Sequence, residues 1–109
     1  MTRELKLLPR AERSLNDISQ WTEERFGPEQ ATTYIARIRA RLHDVQFGTA
    51  HLRRLDKITG NPRHSDAWAV RAGEHFLILS LSADQIIVLD VRHTRSDPGN
   101  FLEIPDLKD

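Results

Sequence analysis

The sequence of 109 residues contains no cysteine, one methionine and few aromatic side chains, which make up 6% of the chain. A chain without cysteine has no disulfide framework and no thiol nucleophile, and gives no indication of secretion. Long apolar runs are also absent, because the longest, near residues 76–79 and 86–89, are far too short to cross a bilayer. The first residues include no apolar signal-peptide segment. We therefore expect a cytoplasmic protein that does not interact with membranes.

The composition is otherwise that of a soluble globular domain, with 39% hydrophobic and 29% charged residues. The length suits one domain and is too short for two. We expect this single domain, residues 1–109, to have its core over residues 3–97 and a tail over residues 98–109.

The formal net charge is zero, but the charges are unevenly distributed along the chain. Residues 37–71 hold eight basic and three acidic residues, whereas residues 72–109 hold three basic and seven acidic residues. Most of the basic residues are arginine, which binds carboxylates and phosphates through planar, forked hydrogen bonds. The basic middle of the chain suggests an acidic partner, either nucleic acid or an acidic peptide, and a solvated charged surface explains it equally well.

Two amphipathic helices are predicted in the first half of the chain. Over residues 9–26, and again over residues 28–46, apolar side chains recur at spacings of three and four, and a proline opens each segment. Gly27 between them can take the left-handed conformation that ends a helix. So short a connection favours an antiparallel hairpin. We expect Trp21 and Tyr34 to lie on the inner faces of this hairpin, in the core.

Strands are predicted before and after the helices. Residues 3–8 alternate apolar and charged side chains, and the runs 68–71, 75–81 and 86–92 are separated by short turns that imply antiparallel neighbours. Residues 47–67 have weak periodicity and contain glycine and proline, so we expect a long loop with at most one short turn. The predicted fold class is α+β: an N-terminal strand, an antiparallel helical hairpin and a three-stranded antiparallel segment, with the helices packed on one face of the sheet.

The element order and four stretches of sequence resemble the ParE/RelE superfamily of toxins. The stretches are residues 8–18, with an Ala-Glu-x-x-Leu pattern; residues 21–34, with aromatic-Gly-x-x-Gln-Ala followed by Tyr; residues 67–76, a strand with a late Arg and a Gly turn; and residues 86–97, a closing strand that ends in His-x-Arg-x-Asp. The resemblance implies the RelE/ParE-like fold and the toxin component of a type II toxin–antitoxin system, a class associated with plasmid stabilisation.

The resemblance favours the ParE branch of this superfamily. RelE-like nucleases, which cut mRNA on the ribosome, have an aromatic residue followed by Arg after the Gly turn, where this chain has His75 and Phe76. The missing Arg argues against that activity. ParE toxins instead inhibit DNA gyrase and are neutralised by a ParD-type antitoxin, whose disordered segment would wrap the hairpin and the sheet edge in a hetero-oligomer. We therefore expect a protein-binding toxin that is not itself an enzyme.

Five residues are candidates for contacts with the target or the antitoxin: Trp68, Arg71, His75, His93 and Arg95. If the chain were a nuclease, Arg71, His93 and Arg95 would supply a cation, an acid or base and a second cation. Each residue also has a structural explanation. Trp68 suits the core, and the two histidines suit hydrogen-bonded positions at its edge. Arg71 could form an ion pair with Glu74 or Asp66, and Arg95 with Asp97.

Other kinds of site are not supported. No two of the five histidines have metal-ligand spacing, and there is no Gly-rich phosphate loop or nucleophile elbow, so we expect no metal and no cofactor. Arg37, Arg39 and Arg41 point in different directions on a helix, which argues against sequence-specific binding of nucleic acid. Beside the gyrase inhibitor and the ribosome-dependent mRNA nuclease, a third hypothesis is a protein that retains the fold without the toxicity.

Overall fold

The computed structural model describes residues 3–95. The elements are β1 (Glu4–Leu7), α1 (Pro9–Phe26), α2 (Pro28–Gln46), β2 (Arg53–Arg54), α3 (Leu55–Thr59), a 3-10 turn (Pro62–His64), β3 (Trp68–Ala72), β4 (His75–Leu81) and β5 (Gln85–His93). The strands form one sheet in the order β1-β5-β4-β3-β2, in which β1 pairs with β5 in parallel and the other neighbours are antiparallel. The α+β prediction is confirmed. No helix within the described range combines the length and the apolar character needed to cross a membrane.

The junction between the two long helices is a single residue. The N–H of Gly27 donates to the carbonyl oxygen of Glu23 at 2.9 Å, and α2 begins at the next residue, Pro28. Gly27 has φ 94° and ψ 166°, so it has the predicted positive φ but an extended ψ in place of the left-handed helical value. Glycine is favoured in this region because it lacks a Cβ atom. The result is the predicted helical hairpin.

The hairpin packs on one face of the sheet, which we call the hairpin face. Apolar side chains from α1 and α2 meet alternate residues of β3, β4 and β5 there. The buried members are Ala11, Leu15, Ile38, Leu42, Val45, Val70, Ala72, Leu77, Leu79, Ile86, Val88 and Val91. Because β5 and β4 lie inside the sheet, their long apolar runs are buried on both faces.

The prediction of a long loop over residues 47–67 was wrong, because β2, α3 and the 3-10 turn lie within it. Helix α3 covers part of the opposite face of the sheet, which we call the α3 face. Leu55 is fully buried there against Ala69 and Ile78, with Ile58 packed beside it. A helix of five residues makes little more than one turn, so it leaves no repeating apolar pattern in the sequence.

A β-bulge changes the alternation of side chains along β5. The register with β4 shifts between Ile78 and Leu79, whose partners are Asp90 and Val88. One residue of β5 between these partners therefore has no opposite number on β4. Such an insertion reverses the faces on which the following residues lie.

The bulge determines the face of the sheet on which His93 lies. Strict alternation places His93 on the face of Ile87, Leu89 and Val91. In the structure Ile87 and Leu89 pack on the α3 face, whereas Val91 packs on the hairpin face with Val88. His93, two residues beyond Val91, therefore also lies on the hairpin face.

The residue after the bulge, Asp90, places a buried carboxylate beside the start of α1. Asp90 is 2% exposed, and its Oδ1 accepts hydrogen bonds from Ser14 Oγ at 2.6 Å and from the N–H of Val91 at 2.8 Å. Its Oδ2 lies 3.2 Å from Arg10 Nε and 3.6 Å from Arg92 Nη1. Both oxygens are thus satisfied, and the carboxylate joins α1 to the centre of the sheet.

Candidate functional site

A groove opens on the hairpin face, between the connected ends of α1 and α2 and the nearby end of the sheet. Its volume is about 660 Å³. The groove, which we call the hairpin groove, is lined by Asp17, Ile18, Trp21, Thr22, Phe26, Gln30, Tyr34, Glu74, His75 and His93. Grooves of this size with apolar walls and a few polar groups are the usual binding sites of proteins.

The outer wall of the groove is formed by two exposed aromatic rings. Trp21 is 53% exposed and Phe26 is 63% exposed, and their ring centroids lie 6.1 Å apart in an edge-to-face arrangement. The guanidinium carbon of Arg25 lies 4.7 Å from the centroid of the Trp21 ring, which is cation–π geometry. Paired exposed aromatic rings of this kind mark surfaces that bind a partner.

The prediction that Trp21 lies in the core was wrong. Its position on the inner face of α1 is correct, because the apolar stripe includes Ala11 and Leu15, which are both buried. The stripe, however, continues past the part of the helix that the sheet covers. Helical spacing predicts the face on which a side chain lies but not whether another element packs against that face.

The floor of the groove is a hydrogen-bonded pair, Tyr34 and His75. The Tyr34 hydroxyl accepts the N–H of Glu74 at 2.9 Å and lies 2.5 Å from His75 Nδ1. The hydroxyl also lies 3.4 Å from the carbonyl oxygen of Ala72, so it can donate its proton either to that carbonyl or to His75 Nδ1, and the tautomer of His75 decides which. Tyr34 is half-buried, which partly confirms its predicted place in the core.

The turn before β4 is shaped to receive the Tyr34 ring. Gly73 has φ +60°, and a Cβ atom at this position would lie 2.8 Å from Tyr34 Cε1. Glycine is therefore required both by the backbone conformation and by the close approach of the ring. This contact fixes the end of the sheet against α2.

A second histidine completes the floor. The ring of His93 lies edge-to-face with that of His75, with centroids 5.1 Å apart. His93 Nδ1 accepts the backbone N–H of Arg95 at 3.0 Å, so neutral His93 carries its proton on Nε2. Burial, with a smaller contribution from the neighbouring His93, lowers the pKa of His75 to about 4. Burial also raises the pKa of Tyr34. Both groups are therefore neutral at pH 7.

The depressed pKa of His75 predicts a loss of stability in weak acid. In the unfolded chain the imidazole has its ordinary pKa of about 6.5, so between pH 6.5 and 4 the unfolded state binds more protons than the folded state. The contribution of His75 to stability is therefore complete above pH 6.5 and decreases as the pH falls to 4. Glu74, Tyr34 and His93 are the titratable groups around it.

We expect the free energy of unfolding to fall more between pH 7 and pH 4.5 in the native protein than in His75→Gln, measured by urea denaturation. The carbon-13 resonances of the imidazole should titrate with a midpoint near 4. A midpoint close to 6.5, with the same pH dependence in both proteins, would show that the groove does not bury this ring.

The structure separates Arg71 from the other two residues proposed for a nuclease, His93 and Arg95. In the sheet register, Arg71 of β3 lies opposite Phe76 of β4, and Phe76 lies opposite Arg92 of β5. Ala72, the residue after Arg71, lies opposite His75. Residues opposite one another in antiparallel strands share a face. Arg71 therefore lies on the α3 face, where it is exposed and its Nε donates to the carbonyl oxygen of Gly73 at 2.9 Å.

The structure brings together the side chains of two predicted site residues, His75 and His93. Trp68 is half-buried at the far end of β3, where it packs against the core of the hairpin face. Arg95 is exposed beside His93, which its backbone contacts. Its predicted partner, Asp97, lies outside the described residues.

Sequence reasoning missed Tyr34 as a site residue, and it missed the aromatic wall. The hydroxyl of Tyr34 and the ring of His75 are 41 residues apart in sequence, and no local pattern connects them. One signal in the sequence could have predicted the aromatic wall. The apolar stripe of α1 continues to Trp21 and Phe26, near the C-terminal end of the helix. Within residues 3–95, no three His, Asp or Glu side chains are grouped as metal ligands would be.

The chain is similar to a known protein family and to several solved structures. A sequence profile described as the ParE toxin of the type II toxin–antitoxin system parDE matches residues 5–98. The chromosomal ParDE system of P. aeruginosa contains a similar chain, with a TM-score of 0.68, 16% sequence identity, and coverage of 84% of this chain and 96% of that chain. A comparison with curated protein sequences finds no significant match.

Two staphylococcal structures share the fold. The YoeB dimer from Staphylococcus aureus has a TM-score of 0.58 and 10% identity, over 85% of this chain and 98% of that chain. The heterotetrameric YoeB–YefM toxin–antitoxin complex from the same organism has a TM-score of 0.54 and 11% identity, over 85% and 98% of the two chains. At these identities the structural likeness establishes the fold alone.

Proposed function

Because this chain belongs to the ParE toxin family of type II toxin–antitoxin systems, we propose that it inhibits DNA gyrase until a ParD-type antitoxin binds to its hairpin groove. The observation that carries the antitoxin part of the proposal is the aromatic wall. Trp21 and Phe26 are more than half exposed beside a groove of about 660 Å³. Adjacent exposed apolar side chains beside a groove are typical of a surface that binds a partner protein.

The shape of the groove suits an amphipathic helix of the antitoxin. An amphipathic helix that lays its apolar face in a groove contacts it through side chains three and four residues apart. The exposed guanidinium of Arg25 lies at the rim, above Trp21, and favours acidic residues on the flank of such a helix. A disordered antitoxin segment would fold as it binds and could extend to the sheet edge. The ParDE structure is described as a toxin–antitoxin system and the YoeB–YefM structure as a heterotetrameric toxin–antitoxin complex.

Two observations support gyrase over RNA as the target. The position where RelE-like nucleases have Arg is occupied by Phe76, and Arg71 lies on the opposite face of the sheet from His93. A cation and a general acid or base that work on one phosphate must lie on the same side of it within a few ångströms. We therefore propose a toxin that acts by binding, with the exposed Arg71 as one of its contacts with the target.

We expect the purified chain to inhibit supercoiling by gyrase and to accumulate cleaved, gyrase-bound DNA, both of which the antitoxin abolishes. Arg71→Ala should weaken inhibition by about tenfold, the loss of one charge-assisted contact. Arg13→Ala, which removes an exposed arginine from the outer side of α1, should leave it unchanged.

Other outcomes of these assays would contradict the proposed target. No effect on gyrase at high protein excess, together with defined cuts in mRNA on stalled ribosomes, would contradict gyrase as the target. If those cuts were lost in His93→Ala, the activity would be that of a nuclease. If neither assay responded and expression without the antitoxin left growth unaffected, the chain would retain the fold without the toxicity.

A further inference from the structure

Strand β1 forms one edge of the sheet. It pairs with β5 on one side, and no strand among residues 3–95 pairs with its other side. The N–H groups of Glu4 and Leu8 donate to carbonyl oxygens on the β5 side, at 2.9 and 3.0 Å. Because the backbone groups of successive residues point to alternate sides of a strand, those of Leu5 and Leu7 point to the open edge. Such an edge is a template for a further strand.

The side chains of β1 alternate between the two faces of the sheet. Leu5 and Leu7 pack on the hairpin face, whereas Glu4 and Lys6 lie on the other face, with side chains more than half exposed. The two charged groups lie 3.8 Å apart and form an exposed ion pair, which contributes little to stability. One acidic and one basic residue thus flank Leu5. An antiparallel copy of the strand presents the opposite charge at each of these two positions.

We propose that two copies of the chain pair through their β1 strands, in antiparallel orientation and centred on Leu5. In this register Glu4 lies opposite Lys6 of the second copy, and Lys6 lies opposite its Glu4. The two Leu5 residues exchange both of their backbone hydrogen bonds, since these groups point to the open edge. The two five-stranded sheets then form one continuous sheet, with both helical hairpins on the same face.

Charge selects this register over its neighbours. A two-fold axis at residue 4 places two Glu4 carboxylates opposite each other, and an axis at residue 6 does the same with two Lys6 ammonium groups. Opposite charges across antiparallel strands stabilise the pairing, whereas like charges directly opposite destabilise it. Two-fold symmetry supplies the matching pattern automatically, because the same surface is used by both copies. The charges of β1 therefore favour a second copy as the occupant of the edge.

An exposed aromatic residue lies beside the same edge. Gln46 Nε2 donates to the carbonyl oxygen of Arg3 at 3.0 Å, which brings the C-terminal end of α2 to the start of β1. The next residue, Phe47, is 57% exposed and does not line the hairpin groove. In the proposed register Leu7 of the second copy lies opposite Arg3, on the face that carries α2. The pairing therefore supplies an apolar neighbour for Phe47.

The helices leave room for the pairing. Adjacent strands are about 4.8 Å apart, so the two copies of β5 lie three spacings, roughly 14 Å, from each other. Helix α1 packs mainly over β5. Packed helices have axes about 8–10 Å apart, so the two α1 helices do not collide.

Sedimentation equilibrium of the full chain tests the proposal through an exchange of charges. Lys6→Glu gives a chain with acidic residues at both positions, and Glu4→Lys gives a chain with basic residues at both. Each variant should self-associate about tenfold more weakly than the native protein, because both cross-strand pairs become repulsive. An equimolar mixture of the two variants should recover the association, since acidic positions then lie opposite basic ones.

Two further variants separate the edge from the rest of the surface. Lys57→Glu makes the same change of charge at an exposed residue of α3, the helix that follows β2 at the opposite edge of the sheet. It should leave the self-association unchanged. Phe47→Ala should weaken the self-association by about tenfold, the loss of one aromatic contact at an interface.

Two results would overturn the proposal. One is a native protein that stays monomeric at every concentration up to about 1 mM, a range that detects even weak association. The edge of β1 would then belong to another occupant, such as an extended segment of a different protein. The other is a mixture of the two charge variants that associates no more tightly than either variant alone. Neither result bears on the gyrase assay or on the hairpin groove, so the two proposals fail separately.

Discussion

Replacing Asp90 with alanine is expected to lower the free energy of unfolding by about 3 kcal/mol. The carboxylate is 2% exposed and accepts from Ser14 and from the backbone N–H of Val91, while Arg10 and Arg92 lie beside its second oxygen. Alanine removes the acceptor and leaves these donors in a region with little water. The cost is below the full cost of an unpaired buried charge because the two arginine side chains are 27% and 19% exposed.

A matched control is available at the protein surface. Asp44 lies 3.3 Å from Arg41 on α2, and both side chains are more than 40% exposed. Exposed ion pairs contribute roughly 0–1 kcal/mol, so Asp44→Ala should change the free energy of unfolding by less than about 1 kcal/mol. Urea denaturation of both variants measures the difference. Equal, small effects would mean that the carboxylate of Asp90 does not stabilise the contact between α1 and β5.

Replacing Trp21 with alanine is expected to weaken the complex with the antitoxin by about 30-fold, because a central tryptophan of an interface contributes roughly 2 kcal/mol or more. Phe26→Ala should have an effect in the same direction. The isolated protein should lose less than about 1 kcal/mol of stability, since surface substitutions seldom cost more. The ring of Trp21 is 53% exposed before any partner binds.

Phe47 provides the control for this prediction. It is also a large aromatic residue, 57% exposed, but it lies at the other end of α2 and does not line the groove. Phe47→Ala should leave the affinity unchanged, measured by isothermal titration calorimetry with the ParD-type antitoxin. If Trp21→Ala and Phe47→Ala had the same effect, the antitoxin would bind elsewhere on the protein.

The helices and most strands were predictable because their signals are local. Prolines at positions 9 and 28 and the glycine between them determine the ends of α1 and α2, and the predicted bounds agree with the structure. Strand β4 was predicted residue for residue, since its turns and its apolar run lie next to each other in sequence. These features depend on interactions between residues that are close in sequence, so they do not depend on the tertiary position of the segment.

The features that sequence reasoning missed depend on contacts between distant segments. The bulge at the Ile78–Leu79 register shift moved His93 to the hairpin face, and no residue pattern in β5 predicts this bulge. The exposure of Trp21 depends on where the sheet ends beneath α1. The pair of Tyr34 and His75 exists only once α2 lies over the β3–β4 turn. Tertiary packing decides these points, and periodicity within one segment cannot show them.

The parallel pairing of β1 with β5 sets an order of events during synthesis. Strand β1 is made first, but its only neighbour in the sheet is β5, whose residues 85–93 are made last among the strands. Until they leave the ribosome, β1 has no edge to join, and Asp90 is not present to hold the start of α1. Such distant pairing makes folding slow. The sheet, and the groove that it forms with α1 and α2, are therefore complete only after the last strand has been synthesised.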